Sequence, residues 1–168
     1  ENSVSGGESL LVDGFRVAED LRHKYPDYFQ ILAETPVNFL RIQHEEEYFY
    51  PPTSPIFELD RQENIVGIRF CDRNCIPIYP FEQMERFYKA YEILISEYLN
   101  NPNYQYLFRL ESGDCLILQN YRVLHGRKAF DSFSGIRELR AAFIEWDLFI
   151  ARYRYRVQFP KHTAVKNL

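Results

Sequence analysis

A histidine and an arginine in the C-terminal half of the chain have the types and spacing to hold a metal ion and a small acid. His125 lies in the run 120–127, and Arg137 follows it twelve positions later. Imidazole is the commonest metal ligand among side chains, and a planar guanidinium is the natural partner of a carboxylate. On neighbouring short strands, the two residues could together hold a metal ion and a carboxylate of a small acid.

Each of these residues also has an ordinary structural interpretation. A lone histidine beside glycine is more often a hydrogen-bonded turn or core residue than a ligand. Arg137 and Arg140 lie three positions apart on an apolar run, so on a strand they face opposite sides, and the inward one needs a buried anion. That anion is either a structural acid or a substrate carboxylate. Arg127 is so close to His125 in the sequence that spacing alone does not show whether it has a separate role.

A second candidate for metal ligation is the run that begins at His44. It contains a formal His-x-Glu pair, His44 and Glu46, within a stretch of three consecutive glutamates. Such a charge run favours a solvated acidic loop.

Composition limits the class of protein. The chain has 168 residues, of which 46% are apolar and 17% aromatic, which suits one domain with a sizeable core. A net charge of −4 and scattered basic residues exclude a general attraction for nucleic acid. No apolar stretch approaches the ~18 residues of a membrane span. Three cysteines without a disulfide-type spacing favour an intracellular compartment, cytoplasmic or mitochondrial.

The pattern of apolar residues predicts few long helices and many short strands. Helices are expected over 15–24, from Pro26 to before Pro36, and over 81–99. Strands are expected at 10–12, in short runs between 37 and 70, at 104–110, at 115–118 and through 137–143, followed by a last helix or strand. We therefore expect a mainly β fold with packed helices, a double-stranded β-helix (jelly-roll) whose first strands are missing.

Several motifs together resemble one family, in order and over essentially the whole chain. They are Gly6-Gly7-Glu8-Ser9, Val12-Asp13-Gly14-Phe15, Gly113-Asp114, the run 120–127 and Glu145-Trp146-Asp147. The family is that of gamma-butyrobetaine dioxygenase and trimethyllysine dioxygenase, within the taurine-dioxygenase-like iron(II)/2-oxoglutarate oxygenases. The Asn-x-Arg-Val-Leu-His-Gly-Arg run is the specific part of this resemblance.

The resemblance implies roles for particular residues. His125 is expected as an iron ligand of the 2-His-1-carboxylate triad. Arg137 is expected to pair with the distal carboxylate of 2-oxoglutarate, with the Ser9 hydroxyl assisting. Phe143 is expected to face a trimethylammonium group, which a ring face attracts. Asn120 and Arg122 are expected to brace the strand that carries His125.

The implied function is hydroxylation of a small trimethylammonium substrate resembling gamma-butyrobetaine, in carnitine biosynthesis. The implied cofactors are iron(II) and 2-oxoglutarate as co-substrate, and ascorbate as a reductant stays open. The implied partner is a small molecule, and a homodimer stays open as well. The alternatives are a trimethyllysine dioxygenase and a non-catalytic pseudoenzyme or binding domain of the same fold.

The sequence departs from the family at two places. The His-x-Asp ligands that complete the triad would lie roughly twenty residues before Glu1. We therefore expect residues 1–168 to be the C-terminal part of a single catalytic domain, inactive as this chain alone. The segment 69–74 has Cys71 and Asp72 where recognition of the butyrobetaine carboxylate is expected, which leaves trimethyllysine or another betaine open.

Overall fold

The computed structural model describes residues 6–39, 41–43, 48–50, 53–71, 75–78, 80–130 and 138–160. They divide into two compact units, Glu1–Gly135 and Ile136–Leu168. No helix among these residues is long and apolar enough to cross a membrane. The prediction that 1–168 forms a single domain fragment stays a prediction.

The first unit begins with a strand and two helices that the sequence predicts closely. Strand β1 is Ser9–Asp13, helix α1 is Gly14–Lys24 and helix α2 is Pro26–Glu34. The Asp13 side chain accepts hydrogen bonds from the first-turn amides of α1, which satisfies donors that have no partner inside the helix. Proline occupies the first turn of α2, where its missing N–H costs nothing. These local signals account for both helix starts.

Short antiparallel strands follow α2, as the broken extended pattern predicts. They are β2 Val37–Phe39, β3 Arg41–Gln43, β4 Tyr48–Tyr50, β5 Thr53–Ser54, β6 Phe57–Leu59, β7 Ile65–Ile68 and β8 Cys75–Pro77. Among the described residues, β2 lies between β5 and β8, β3 pairs with β4, and β6 pairs with β7.

The predicted helix over 81–99 is confirmed in extent and consists of three parts. A 3-10 turn, Phe81–Gln83, leads into helix α3, Met84–Ile93, and a π-helical stretch, Leu94–Leu99, closes it. After a 3-10 turn at Pro102–Tyr104 comes strand β9, Gln105–Phe108. Strand β10 is Val123–Arg127.

The hydrophobic core lies where α2 packs against α1 and α3, and where α1 packs on β7 and α2 on β6. Leu21, Leu32, Phe57 and Phe87 are its largest fully buried side chains, together with Ile56 and Leu94. The rings of Phe29 and Phe57 stack with their centroids 5.2 Å apart. Burial of each large apolar side chain contributes roughly 1.5–3 kcal/mol. Val12 of β1 belongs to the cluster and Leu124 packs against it, so the cluster supports the sheet that carries His125.

The strand predicted at 115–118 is wrong. These residues pair with none of the described strands, and the Ile117 side chain is 81% exposed. A strand is stable only when a neighbouring strand satisfies its backbone N–H and C=O groups. The apolar pattern of a segment does not show whether such a neighbour exists.

The strand predicted through 137–143 is also wrong over its described part. Residues 138–145 form neither helix nor strand, and Leu139 is 68% exposed. The last element of the chain is helix α4, Trp146–Gln158. Its basic run, Arg152 to Arg156, is exposed.

Helices and antiparallel sheets both contribute to the described part of the chain. The prediction of strands with packed helices is confirmed at this level, although helices contribute more than a mainly β fold implies. The jelly-roll arrangement of the strands stays a prediction.

Candidate functional site

The candidate site lies on one face of the sheet β10–β1–β9. In this antiparallel sheet Leu11 lies opposite His125 on one side and opposite Tyr106 on the other. Directly opposed residues point to the same face, and residues two apart along a strand share that face. We call this the site face; its side chains are Ser9, Leu11, Asp13, Tyr106, Phe108, Val123, His125 and Arg127.

The opposite face of the sheet turns toward the core. Val12 is 4% exposed, and Leu124, its partner in the register, packs against the core cluster. Because side chains alternate along a strand, burial of Val12 and Leu124 forces Leu11 and His125 to the other side. His125 is accordingly exposed on the site face. The hydrophobic pattern of β1 and β10 therefore sets the direction of the candidate ligand.

Ser9 and His125 are brought close together by the register of β1 and β10. Ser9 lies opposite Arg127, and Leu11 lies opposite His125, so Ser9 and His125 are diagonal neighbours. Diagonal positions on one face of an antiparallel pair are typically about 7–8 Å apart. The structure thus places the Ser9 hydroxyl and the His125 imidazole within reach of one small ligand.

Asp13 and Arg122 hold the other end of the two strands. Arg122 Nη2 donates to Asp13 Oδ2 at 2.7 Å, and Arg122 Nε donates to Asp13 Oδ1 at 3.1 Å. The Arg122 guanidinium holds the pKa of the Asp13 carboxyl below its usual value, against a smaller opposing effect of burial. The predicted bracing role of Arg122 is confirmed. The same role for Asn120 stays a prediction.

The Gly6-Gly7 pair is required by the close approach of the chain to β10. Gly6 and Gly7 have φ angles of +92° and +73°, which side-chain-bearing residues rarely adopt. A Cβ on Gly6 would lie 2.4 Å from the carbonyl oxygen of Ala129. Gly7 N–H donates to that same oxygen at 2.9 Å. This contact fixes the start of β1 against the segment that follows Arg127.

Arg127 belongs to the site face. The spacing in the sequence did not decide this placement. Its guanidinium carbon lies 3.7 Å from the centroid of the Phe130 ring, and its Nε donates to the Gly7 carbonyl at 3.3 Å. The useful signal in the sequence is the two-residue spacing from His125 on a strand, which puts both side chains on one face.

Two aromatic residues of the site face were not singled out by the sequence. The rings of Tyr106 and Phe108 stack with their centroids 5.5 Å apart on β9. Tyr106 is 66% exposed and Phe108 is partly buried. Alternation along the predicted strand 104–110 could have placed them on one face, but it could not have shown that β9 lies beside β1.

A cavity of about 410 Å³ opens beside β9 and includes part of the site face, namely Leu11, Asp13, Tyr106 and Val123. A larger cavity of about 610 Å³ is lined by residues of α2 and α3 and by the turn before α2. The larger cavity contains no residue of the site face. Cavity volume therefore does not mark the candidate site, which is defined by the register of the sheet.

The described residues supply one ligand position for a metal ion, not a complete set. Within them no group of three His, Cys, Asp or Glu side chains could hold a metal. Asp13 shares the site face with His125, but its two oxygens are bonded to Arg122 and to the first amides of α1. The described residues alone therefore do not define a reaction step at a metal ion. Among them, His125 is the residue with an imidazole on the site face.

The other predicted site residues are placed differently. Arg137 lies outside the described residues, as do His44 and Asp72. Phe143 belongs to the second unit and is 84% exposed. The sequence predicted that one of Arg137 and Arg140 faces inward; Arg140 is exposed and donates to Glu138 at 2.9 Å, so it is not the inward one. The roles of Arg137 and Phe143 stay predictions.

The cysteines are free, as their spacing predicts. Burial is the main cause that raises the pKa of the Cys75 thiol, and a hydrogen bond with Tyr91 opposes it. A raised thiol pKa disfavours the thiolate, the form that binds metals.

Comparison with curated proteins gives relatives of two kinds. Gamma-butyrobetaine dioxygenase from Homo sapiens is 32% identical over 158 residues, which cover 92% of this chain and 41% of that protein. The protein of the same name from Pseudomonas sp. (strain AK-1) is 34% identical over 152 residues, 90% of this chain and 39% of its own length. Trimethyllysine dioxygenase, mitochondrial, from Gallus gallus is 30% identical over 148 residues, 85% of this chain and 34% of its own length. The chain spans well under half of each relative.

A solved structure described as PvcB, an Fe, alpha-ketoglutarate dependent oxygenase from an isonitrile synthetic pathway, resembles this chain in fold. The TM-score is 0.53 at 21% sequence identity, over 76% of this chain and 42% of that chain. The model of the family described as taurine catabolism dioxygenase TauD, TfdA family matches residues 1–143. The resemblance inferred from the sequence motifs is confirmed, and the chain belongs to the taurine catabolism dioxygenase TauD, TfdA family.

Proposed function

We propose that this chain forms part of a double-stranded β-helix oxygenase domain that uses iron(II) and 2-oxoglutarate to hydroxylate a small trimethylammonium compound. The observation that carries the proposal is the register that makes Ser9 and His125 diagonal neighbours on the site face. The names of the relatives, gamma-butyrobetaine and trimethyllysine dioxygenase, suggest the substrate class.

In this proposal each residue has a limited task. The imidazole of His125 would supply one ligand to iron, and two further ligands would complete the triad. The Ser9 hydroxyl donates to a carboxylate of 2-oxoglutarate, and Arg137 pairs with that carboxylate. Bound iron(II) with the keto acid would supply the oxidising chemistry, which is the cofactor's own.

Apolar and aromatic side chains of the site face support the same proposal. Leu11 lies between His125 and Tyr106 in one cross-strand row. In the next row, Phe108 lies directly opposite Ser9. Such side chains pack against the carbon chain of a small acid and keep water from the reacting position. Phe143 would present a ring face to the trimethylammonium group.

The test measures keto-acid binding and turnover in the full-length protein. Mn(II) and 2-oxoglutarate together should raise the melting temperature, since a ligand at one hundred times its Kd adds about 2.7 kcal/mol of stability. Succinate release with gamma-butyrobetaine or with trimethyllysine then identifies the substrate. His125→Ala and Arg137→Ala should abolish both the stabilisation and the turnover.

A matched control is His23→Ala. His23 is exposed on α1 and its Nδ1 contacts the Glu19 carbonyl of the same helix at 2.8 Å, so its loss should leave binding unchanged. If His125→Ala retains the stabilisation, the assignment of the site is wrong. If the wild-type protein binds 2-oxoglutarate but releases no succinate with either substrate, a non-catalytic binding domain replaces the proposal.

A further inference from the structure

We infer that Arg69 is a positioning residue for β10, the strand that carries His125, and that it acts through the ring of Tyr121. The inference deepens the proposed function and rests on it, because it concerns the placement of the proposed iron ligand. Arg69 lies outside the site face, just after β7.

The turn that leads into β10 is held from two sides. Gly14 N–H, at the end of β1, donates to the Arg122 carbonyl at 2.9 Å. Ile68 N–H, at the end of β7, donates to the Tyr121 carbonyl at 2.8 Å. Strand β7 pairs with β6, and in the described part of the chain these two strands form a sheet separate from that of β10. Tyr121 is therefore a point at which the β6–β7 pair holds the sheet of the site face.

Close packing at Gly14 brings the end of β7 and the turn before β10 together. A Cβ on Gly14 would lie 2.5 Å from Ile68 Cγ2 and 2.7 Å from the Arg122 carbonyl oxygen. No space for a methyl group remains between these segments. A movement at the end of β7 is therefore passed on to the first residues of β10.

The Arg69 side chain is fixed by Glu58 of β6. Arg69 Nε donates to Glu58 Oε1 at 2.7 Å, and the Ser54 hydroxyl donates to the same oxygen. Gly67 lies opposite Glu58 in the register and leaves room for its carboxylate, since a Cβ there would lie 2.6 Å from Glu58 Oε2. The Glu58 carboxylate, held in this way, sets the direction of the Arg69 guanidinium.

The guanidinium lies over the ring of Tyr121. The distance from Arg69 Cζ to the ring centroid is 5.4 Å, within the range of a cation–π contact. Tyr121 is thus restrained at its carbonyl by Ile68 and at its ring by Arg69. His125 follows four positions later on the same strand, so loss of the ring contact frees the start of β10 and changes the orientation of the imidazole. Residues that orient a metal ligand affect the affinity for the metal.

The test uses Co(II) as the probe in the full-length protein, because its visible absorption reports the geometry of the ligands and its titration gives the affinity. Arg69→Ala should weaken Co(II) binding by roughly twofold to tenfold and change the absorption spectrum at saturation. Arg69→Lys keeps a cation near Glu58 and over the ring, and should retain most of the affinity.

Arg22→Ala is the matched control. Arg22 also pairs with a carboxylate, Glu19 at 3.4 Å, and lies over a ring, Phe29 at 4.3 Å, with its side chain 30% exposed against 34% for Arg69. It pairs within α1 and stacks on α2 instead of on the turn before β10. Its replacement should lower the melting temperature to a comparable extent and leave the affinity and spectrum of Co(II) unchanged.

A double-mutant cycle shows whether Arg69 acts through Tyr121. Tyr121→Ala should weaken Co(II) binding as Arg69→Ala does, and the double variant should lose no more, because both changes remove one contact. Tyr121→Phe keeps the ring and should bind Co(II) like the wild type. If Arg69→Ala does not fold, the comparison of Tyr121→Ala with Tyr121→Phe carries the test.

The outcomes separate this inference from the proposed function. Unchanged Co(II) binding in Arg69→Ala, an equal loss in Arg22→Ala, or additive losses in the double variant would each overturn the positioning role. The proposed function would then still stand, provided that the wild-type protein binds Co(II) and 2-oxoglutarate. A wild-type protein that binds no Co(II) would contradict the proposed function and this inference together.

Discussion

Replacement of Asp13 by alanine should destabilise the protein through two separate losses. The Asp13 carboxylate accepts from Phe15 N–H at 3.1 Å at the start of α1 and from Arg122 Nη2 at 2.7 Å at the start of β10. Loss of an N-cap typically costs about 1 kcal/mol, with a range of about 0.5–2. The Asp13 and Arg122 side chains are 40% and 48% exposed, so solvent screens the ion pair and about 0.2–1 kcal/mol is expected from it.

Together these losses predict a destabilisation of about 1–3 kcal/mol for Asp13→Ala. For a domain of this size that corresponds to a melting temperature lower by roughly 2–12 °C. Urea denaturation followed by circular dichroism gives the free energy of unfolding, and an unchanged m-value would show that the unfolded state is not altered.

Two variants separate the helix cap from the ion pair. Asparagine is as good an N-cap as aspartate, so Asp13→Asn should lose mainly the ion pair, about 1 kcal/mol or less. Arg122→Gln should cost about the same, because it removes the charge from the other side of the same contact. An Asp13→Asn variant as unstable as Asp13→Ala would refute the capping contribution. An Asp13→Ala variant within ~0.5 kcal/mol of wild type would refute the whole argument, since that is the range of ordinary surface substitutions.

Three further predictions concern the same unit. The hydrogen bond from Arg122 is the main cause that lowers the pKa of Asp13 in the folded protein. The stability that this contact adds to the folded protein is therefore fully present above the unfolded pKa, and it is lost as the pH falls through the lower folded pKa. The difference in urea midpoint between wild type and Asp13→Asn should therefore shrink below about pH 4; a difference that grows there would contradict it. Gly6→Ala should cost more than Gly113→Ala, because both have a positive φ but only the Gly6 Cβ would meet backbone, the Ala129 oxygen at 2.4 Å. Equal denaturation midpoints for these two variants would show that the contact does not matter. Leu32→Ala, at a position with 0% exposure, should cost about 2–5 kcal/mol in urea denaturation, and a loss under 1 kcal/mol would mean that the core relaxes around it.

The helices of the first unit could be predicted because their signals are local. A helix satisfies its own backbone hydrogen bonds, so periodicity and end signals such as Asp13 and Pro26 are sufficient to locate α1 and α2. The strands predicted at 115–118 and, over its described part, through 137–143 were wrong for the opposite reason. A strand depends on a partner that can be distant in the sequence, and alternating apolar residues do not say whether one is present.

The candidate site shows the same division. The residue types and motifs of the sequence predicted His125 and Ser9 as site residues, the family to which the chain belongs, and the chemistry of metal and carboxylate that those residues suit. Only the tertiary structure decided that β1 lies between β9 and β10, with Ser9 opposite Arg127 and diagonal to His125. The physical reason is that burial of Val12 and Leu124 in the core fixes the register between strands more than one hundred residues apart, and a shift of one residue would turn His125 away from the site face.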